Sequence, residues 1–85
     1  MRHLDVTWID NTAGHPRLGL IVPKHRSTAV ARNRLRRRLR EVWRRELQHR
    51  LPTWDTVLRA RPEAYHATFA DLRVELLAWC EEAVP

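Results

Sequence analysis

Cysteine occurs once in the 85 residues, which excludes an internal disulfide, and the neighbours of Cys80 (Leu76, Leu77 and Trp79) mark a packed thiol rather than a reactive one. No stretch approaches the roughly 18 consecutive apolar residues that a membrane-spanning helix requires. The start, Met1-Arg2-His3-Leu4-Asp5, also lacks the apolar segment of a signal peptide. A soluble cytoplasmic protein without membrane association is expected. The five histidines, at positions 3, 15, 25, 49 and 66, show no metal-ligand spacing, and no nucleophile, base and orienting group come together. A protein-borne catalytic site is therefore not expected. Asp5, Asp10 and Asp55 are the one set that could gather across neighbouring strands to hold a cation, although acids at strand ends more commonly serve turns and caps. Internal repeats and low-complexity tracts are absent. Lysine is nearly so: fifteen of the sixteen Lys and Arg residues are Arg.

What remains is one short domain spanning residues 1–85. A chain of this size buries only about 60 to 65 per cent of its unfolded surface, so one modest core is expected. With 44% hydrophobic residues and four Trp, the chain is too apolar to stay disordered. The net charge of +6 is unevenly spread. Between Lys24 and Arg50 stand eleven basic residues and two acidic ones, a net of +9, whereas the rest carries five basic and eight acidic residues, a net of −3. A cationic block of this kind binds polyanions by releasing their counterions, and the planar fork of Arg suits phosphate better than an ammonium does.

Residues 3–10 alternate, with Leu4, Val6 and Trp8 on one face, and predict a strand in which Trp8 belongs to the core in preference to serving as a surface on which a base stacks. Asn11-Thr12-Ala13-Gly14-His15-Pro16 has turn chemistry, and residues 17–22 form a second apolar run, so the two strands are expected to pair as an antiparallel hairpin. Ser27 or Thr28 can cap a helix running to about His49, because neither Gly nor Pro interrupts the chain between Pro23 and Pro52. Residues 54–61 alternate again and predict a third strand, parallel to the second because a helix connects them. Thr68 and Asp71 form a capping box ahead of a closing helix with Leu72, Leu76, Trp79 and Cys80 on its apolar face. The expected fold is α+β: a small sheet of three or more strands packed with two helices, in the order β-β-α-β-α.

On the first helix Leu35, Leu39, Val42, Trp43 and Leu47 share one stripe at 100° per residue. Opposite it Asn33, Arg37, Arg40 and Arg44 make a ridge, flanked by Arg34, Arg38 and Arg45, with Arg32 and Arg36 at the edge of the stripe. Like charges this dense repel one another and destabilise a helix unless an anion neutralises them. A nucleic acid is the partner this favours. Charge alone leaves open DNA or RNA, and basic amphipathic helices also meet acidic proteins and membrane surfaces.

Arg17-Leu18-Gly19, Lys24-His25, Ala29-Val30, Arg32-Asn33-Arg34, Arg36-Arg37 and Arg40-Glu41 follow one another in an order and spacing that resemble the bacterial ribonuclease P protein. Asp55, Arg61-Pro62, Phe69, Leu72 and Leu76 continue the likeness, which covers about 17–79. The resemblance implies a ribosomal protein S5 domain 2-like fold with a left-handed β-α-β crossover. It also implies a subunit of an endoribonuclease whose catalysis resides in its RNA, which removes the 5′ leader from precursor tRNA with Mg²⁺ held by that RNA and no cofactor on the protein. The partners implied are ribonuclease P RNA and precursor tRNA; no protein partner is predicted. Carried over by position, Lys24, His25, Arg32, Asn33, Arg34, Arg36, Arg37 and Arg40 approach the RNA, and Arg44 continues the ridge. Arg32 and Arg36 are equally suited to bracing the helix through their long stems. Arg17, Arg59 and Arg61 are candidate contacts to the leader or to other RNA. The family's N-terminal helix and first strand, which help form its leader groove, have no counterpart here. Pro23, His25, Ser27, Arg36 and Arg59 also depart from the family's usual residues. A non-catalytic basic module that binds RNA or DNA is the alternative.

Overall fold

In the computed structural model, which describes residues 2–85, the elements follow the order read from the sequence. They are β1 (Leu4–Asp10), β2 (Arg17–Ile21), α1 (Ala29–Val42), β3 (Trp54–Ala60) and α2 (Phe69–Ala83). Helix α1 continues through a π-helical turn at Trp43–Leu47, and a 3-10 turn at Pro62–His66 leads into α2; neither was expected from the sequence. Of the two candidate caps, Thr28 is the one used, its Oγ1 accepting from Ala31 N at 3.1 Å. The capping box of α2 is complete: Thr68 Oγ1 accepts from Asp71 N and Asp71 Oδ2 accepts from Thr68 N.

The expected hairpin does not form. The sheet order is β1-β3-β2, with β3 antiparallel to β1 and parallel to β2. Burial explains why β3 takes the centre: Trp54, Thr56, Leu58 and Ala60 are all buried, so it profits most from a neighbour on each side. Residues 11–16 arch over the start of β3 instead of turning tightly. Six residues reach about 20 Å, ample for the roughly 10 Å that separate two strands flanking a third. Asn11 secures the arch, its N donating to Thr53 O at 2.9 Å and its Nδ2 to Asp55 Oδ1 at 3.0 Å and His15 O at 3.2 Å. Gly14 supplies the left-handed residue (φ 84°). Arg17 closes the arch by gripping Asp55 with two bonds, Nε to Oδ1 at 2.6 Å and Nη2 to Oδ2 at 2.7 Å.

Both helices lie on one face of the sheet. The predicted stripe of α1, Leu35 to Leu47, is buried throughout, in one core with Leu72, Leu76, Trp79 and Cys80 of α2, Leu4 and Leu58 of the strands and Val22 just after β2. Burial pushes the Cys80 thiol above its ordinary pKa, as expected of a packed thiol. Trp8 departs from expectation: it points to the helix side but remains 44% exposed. It lies near the rim, where β1 is an outer strand, and rests against Trp54 and Trp79 with ring centroids 5.9 and 5.3 Å away.

Two predictions follow from the strands. Thr56 is fully buried and its hydroxyl has no partner among the described residues, so an isosteric Thr56→Val should raise the unfolding free energy by about 1 kcal/mol in urea titration. The second concerns acid. Hydrogen bonding from Arg17, with a smaller contribution from Asn11, holds the Asp55 carboxyl below its ordinary value of 3.8. A carboxylate depressed in the folded state stabilises above its unfolded pKa and loses that contribution as pH falls through the folded value. Asp55→Asn should therefore weaken the fold at neutral pH and flatten the loss of stability below about pH 4, read from denaturation midpoints.

Candidate RNA interface

Burying the stripe of α1 leaves its arginines no choice but the outer face, and their partners then divide them. Arg32 and Arg38 are half-buried braces. Arg32 Nε donates to Val22 O at 3.1 Å, tying the helix to the end of β2, and Arg38 Nη1 donates to Ala67 O at 2.9 Å, tying it to the entry of α2. Arg44 and Arg45 share Glu41, each at 2.6 Å, and the hydrogen bond from Arg44 holds the Glu41 carboxyl below its ordinary value. Arg45 also lies over the Phe69 ring at 5.8 Å. Arg44 is thus on the predicted ridge, but as a partly neutralised cation. Asn33, Arg34, Arg37 and Arg40 are exposed, and half-buried Arg36 adjoins them. Among the described residues none of these five has a side-chain hydrogen bond or ion pair. The first turn of α1 contains no acid either.

Lys24 and His25 lie outside the helix, exposed in the loop that enters it. His25 and Arg26 have left-handed backbones (φ 43° and 62°), and Ser27, through both N and Oγ, closes the loop onto Lys24 O. The loop is clamped from the other side, because Tyr65 OH donates to Pro23 O and His25 Nε2 lies 3.3 Å from Ala60 O. The His25 ring stands edge-on to Tyr65. Residues from this loop, the first turn of α1 and the Pro62–His66 turn line an open cavity of about 370 Å³. Arg26 joins the cationic loop, a residue that site assignment by sequence missed although it directly follows Lys24-His25.

The remaining predicted contacts lie on the sheet face away from the helices. Register places Asp5, Thr7 and Ile9 of β1, Asp55, Val57 and Arg59 of β3 and Arg17, Gly19 and Ile21 of β2 together there. Ile9 and Ile21 are 69% and 45% exposed. Arg17 is committed to Asp55, and Arg61 lies 3.7 Å from Asp5, whereas Arg59 is exposed without a bonded partner among the described residues. The three acids that could have gathered do not: Asp5 and Asp55 each face an arginine, and Asp10 sits opposite Trp54 at the far end of β1. Among the described residues no group of three or more His, Cys, Asp or Glu could hold a metal ion.

The arrangement suits a folded polyanion: a helix braced through Arg32 and Arg38, presenting forked cations that no carboxylate pairs with among the described residues. Comparison with known proteins identifies the family. The family profile described as ribonuclease P matches residues 1–84. The ribonuclease P protein component of Syntrophobacter fumaroxidans is 44% identical over 78 residues, covering 89% of this chain and 65% of the relative. That of Thermus scotoductus is 42% identical over 76 residues, covering 89% and 44%. This chain thus spans about half to two thirds of the length of these relatives. The solved structure of the Staphylococcus aureus RNase P protein superposes with a TM-score of 0.84 at 30% identity, over 98% of this chain and 76% of that one. Profile, sequence identity and fold agree, and the chain belongs to the ribonuclease P protein family.

Proposed function

We propose that this chain acts as the protein subunit of ribonuclease P, binding the catalytic RNA through α1 and assisting removal of the 5′ leader from precursor tRNA. The observation that carries the reading is the unpaired set Asn33, Arg34, Arg36, Arg37 and Arg40 on a helix whose other face is wholly buried. Self-repulsion among these cations is relieved when phosphates take the place of counterions. Arg32 and Arg38 set the helix; the free arginines dock it. Lys24, His25 and Arg26 extend the contact around the N-terminal end of α1, and Arg44 contributes at its far end.

In this reading the chemistry, and the Mg²⁺ that serves it, belong to the RNA. The protein lowers the metal concentration required by neutralising phosphate where the RNA folds tightly. On the open sheet face Arg59 is the cation available to a leader strand, with Arg17 and Arg61 engaged by carboxylates. The proposed setting is the cytoplasm, with no helix among the described residues long and apolar enough to cross a membrane.

Changing Arg37 and Arg40 together to Ala should leave thermal unfolding nearly unchanged, because both are exposed and unbonded. Affinity for ribonuclease P RNA should fall, and the slope of log affinity against log salt should become shallower by about 2. Unchanged affinity and slope would remove the ridge from the interface. The decisive assay is cleavage of a precursor tRNA by a bacterial ribonuclease P RNA at low Mg²⁺. The protein should restore site-specific cleavage where a basic peptide of matched charge does not; equal performance of the two would reduce the chain to a generic RNA binder.

A further inference from the structure

The chain leaving β2 is held at three successive carbonyls, each by a side chain. Val22 O accepts from Arg32 Nε at 3.1 Å, Pro23 O from Tyr65 OH and Lys24 O from Ser27 Oγ, and Ser27 N is a second donor to Lys24 O at 2.7 Å. His25 Nε2 lies 3.3 Å from Ala60 O at the end of β3, and the His25 ring meets Tyr65 edge-on with centroids 6.2 Å apart. The segment requires this support. His25 and Arg26 are consecutive left-handed residues (φ 43° and 62°), and neither is glycine. A side chain in that region crowds the backbone, so the conformation persists only where its surroundings impose it. Arg32 and Ser27 are near neighbours of the carbonyls they hold, whereas Tyr65 stands 42 residues from Pro23. Half-buried Tyr65 is itself well founded: Ala64 and Ala67, which flank it, are buried, and Ala67 O accepts from Arg38 Nη1 at 2.9 Å.

We propose that Tyr65 is a positioning residue for RNA docking, holding the loop 24–27 so that its cations and the arginine ridge of α1 meet one RNA surface together. This role rests on the proposed binding of ribonuclease P RNA by both. The bonds form a closed circuit: Arg38 ties α1 to Ala67, Tyr65 reaches from that turn to Pro23, and Arg32 ties Val22 back to α1. Loop and ridge are thereby fixed relative to each other before RNA arrives. Lys24 and Arg26 are exposed, and among the described residues neither side chain has a hydrogen bond or ion pair, so the backbone alone aims them. Without the Tyr65 hydroxyl, Pro23 O loses its donor and the two left-handed residues can relax. The docking-competent loop is then only part of the population, and apparent affinity falls by that fraction. Contacts made by the ridge are unaffected.

Lys24 is the only lysine in the chain, so an endoproteinase that cuts after lysine cleaves at one place, inside this loop, and its rate on the folded protein reports loop opening. Tyr65→Phe removes the hydroxyl and keeps the ring. Cleavage should rise about fivefold in this variant, the factor that one lost hydrogen bond supplies. Asp55→Asn, at the opposite end of β3, should leave the rate unchanged. Affinity of Tyr65→Phe for ribonuclease P RNA should fall by about the same fivefold factor. In a K24A/R26A background, where the loop cations are gone, Tyr65→Phe should cost almost nothing further. Should Tyr65→Phe fail to fold by circular dichroism, the same cycle is run on Thr56→Val. An equal loss of affinity in both backgrounds, which a merely structural role would give, or a rise in cleavage no greater than that of Asp55→Asn, would overturn the proposal. If K24A/R26A itself binds the RNA as tightly as the parent chain, the loop is no RNA contact, and the positioning role falls with that reading.

Discussion

The apolar seam of α1 is the interaction on which the rest of this structure depends. Leu35, Leu39, Val42, Trp43 and Leu47 are all buried, and they meet α2 and the strands within a single small core. In a chain of 85 residues there is no second core to compensate for its loss. Because the helix must bury that stripe, the arginines between its members are driven outward. Packing and charge display are consequently one constraint: the geometry that fills the core also spaces the cations.

Eleven cationic side chains between Lys24 and Arg50 would be a liability if all were equivalent, and the fold makes them unequal. Arg32 and Arg38 spend their donors on backbone carbonyls, which fixes the angle of α1 over the sheet. Glu41 draws in Arg44 and Arg45, and Glu46 reaches Arg73 at 3.0 Å and Arg50 at 3.8 Å, so the C-terminal end of the helical segment is largely compensated. These exposed pairs contribute little stability individually. Their effect is to concentrate uncompensated charge in the N-terminal half of α1, next to the Lys24-His25-Arg26 loop. Among the described residues, positive charge without a carboxylate partner is therefore densest there.

Strand β3 has the corresponding role for the sheet. It is buried on alternate residues and paired on both sides, and its first residues receive the arch through Asn11, Asp55 and Arg17. Central placement of β3 makes outer strands of β1 and β2. One sheet face is covered by helices, while the other is left with Ile9, Ile21 and Val57 among polar groups.

Much of this was legible in the sequence because local physics decides it. Periodicity located all three strands and both helices, and cap chemistry at Thr28 and Thr68 marked where the helices start. The buried stripe and the arginine ridge both follow from 3.6 residues per turn. The ordered residues from Arg17 to Trp79 pointed to the family. Strand order was not legible, since alternation says which face of a strand is buried and nothing about which strand lies beside it; the core closing over the fully buried face of β3, with a partner on each edge, decided that. Trp8 was misplaced for a related reason, because its alternation with Leu4 and Val6 is real but exposure depends on its lying on an outer strand. Arg32, Arg38 and Arg44 read in the sequence as members of one cationic helix. Only the tertiary structure set carbonyls of Val22 and Ala67 within reach of the first two, and turned Arg44 and Arg45 together onto Glu41. The sequence by itself determined the elements, the core face and the total charge, which depend on neighbours along the chain. Sheet order and the pairing of each cation rest on contacts between residues distant in sequence, and those exist only once the core has closed.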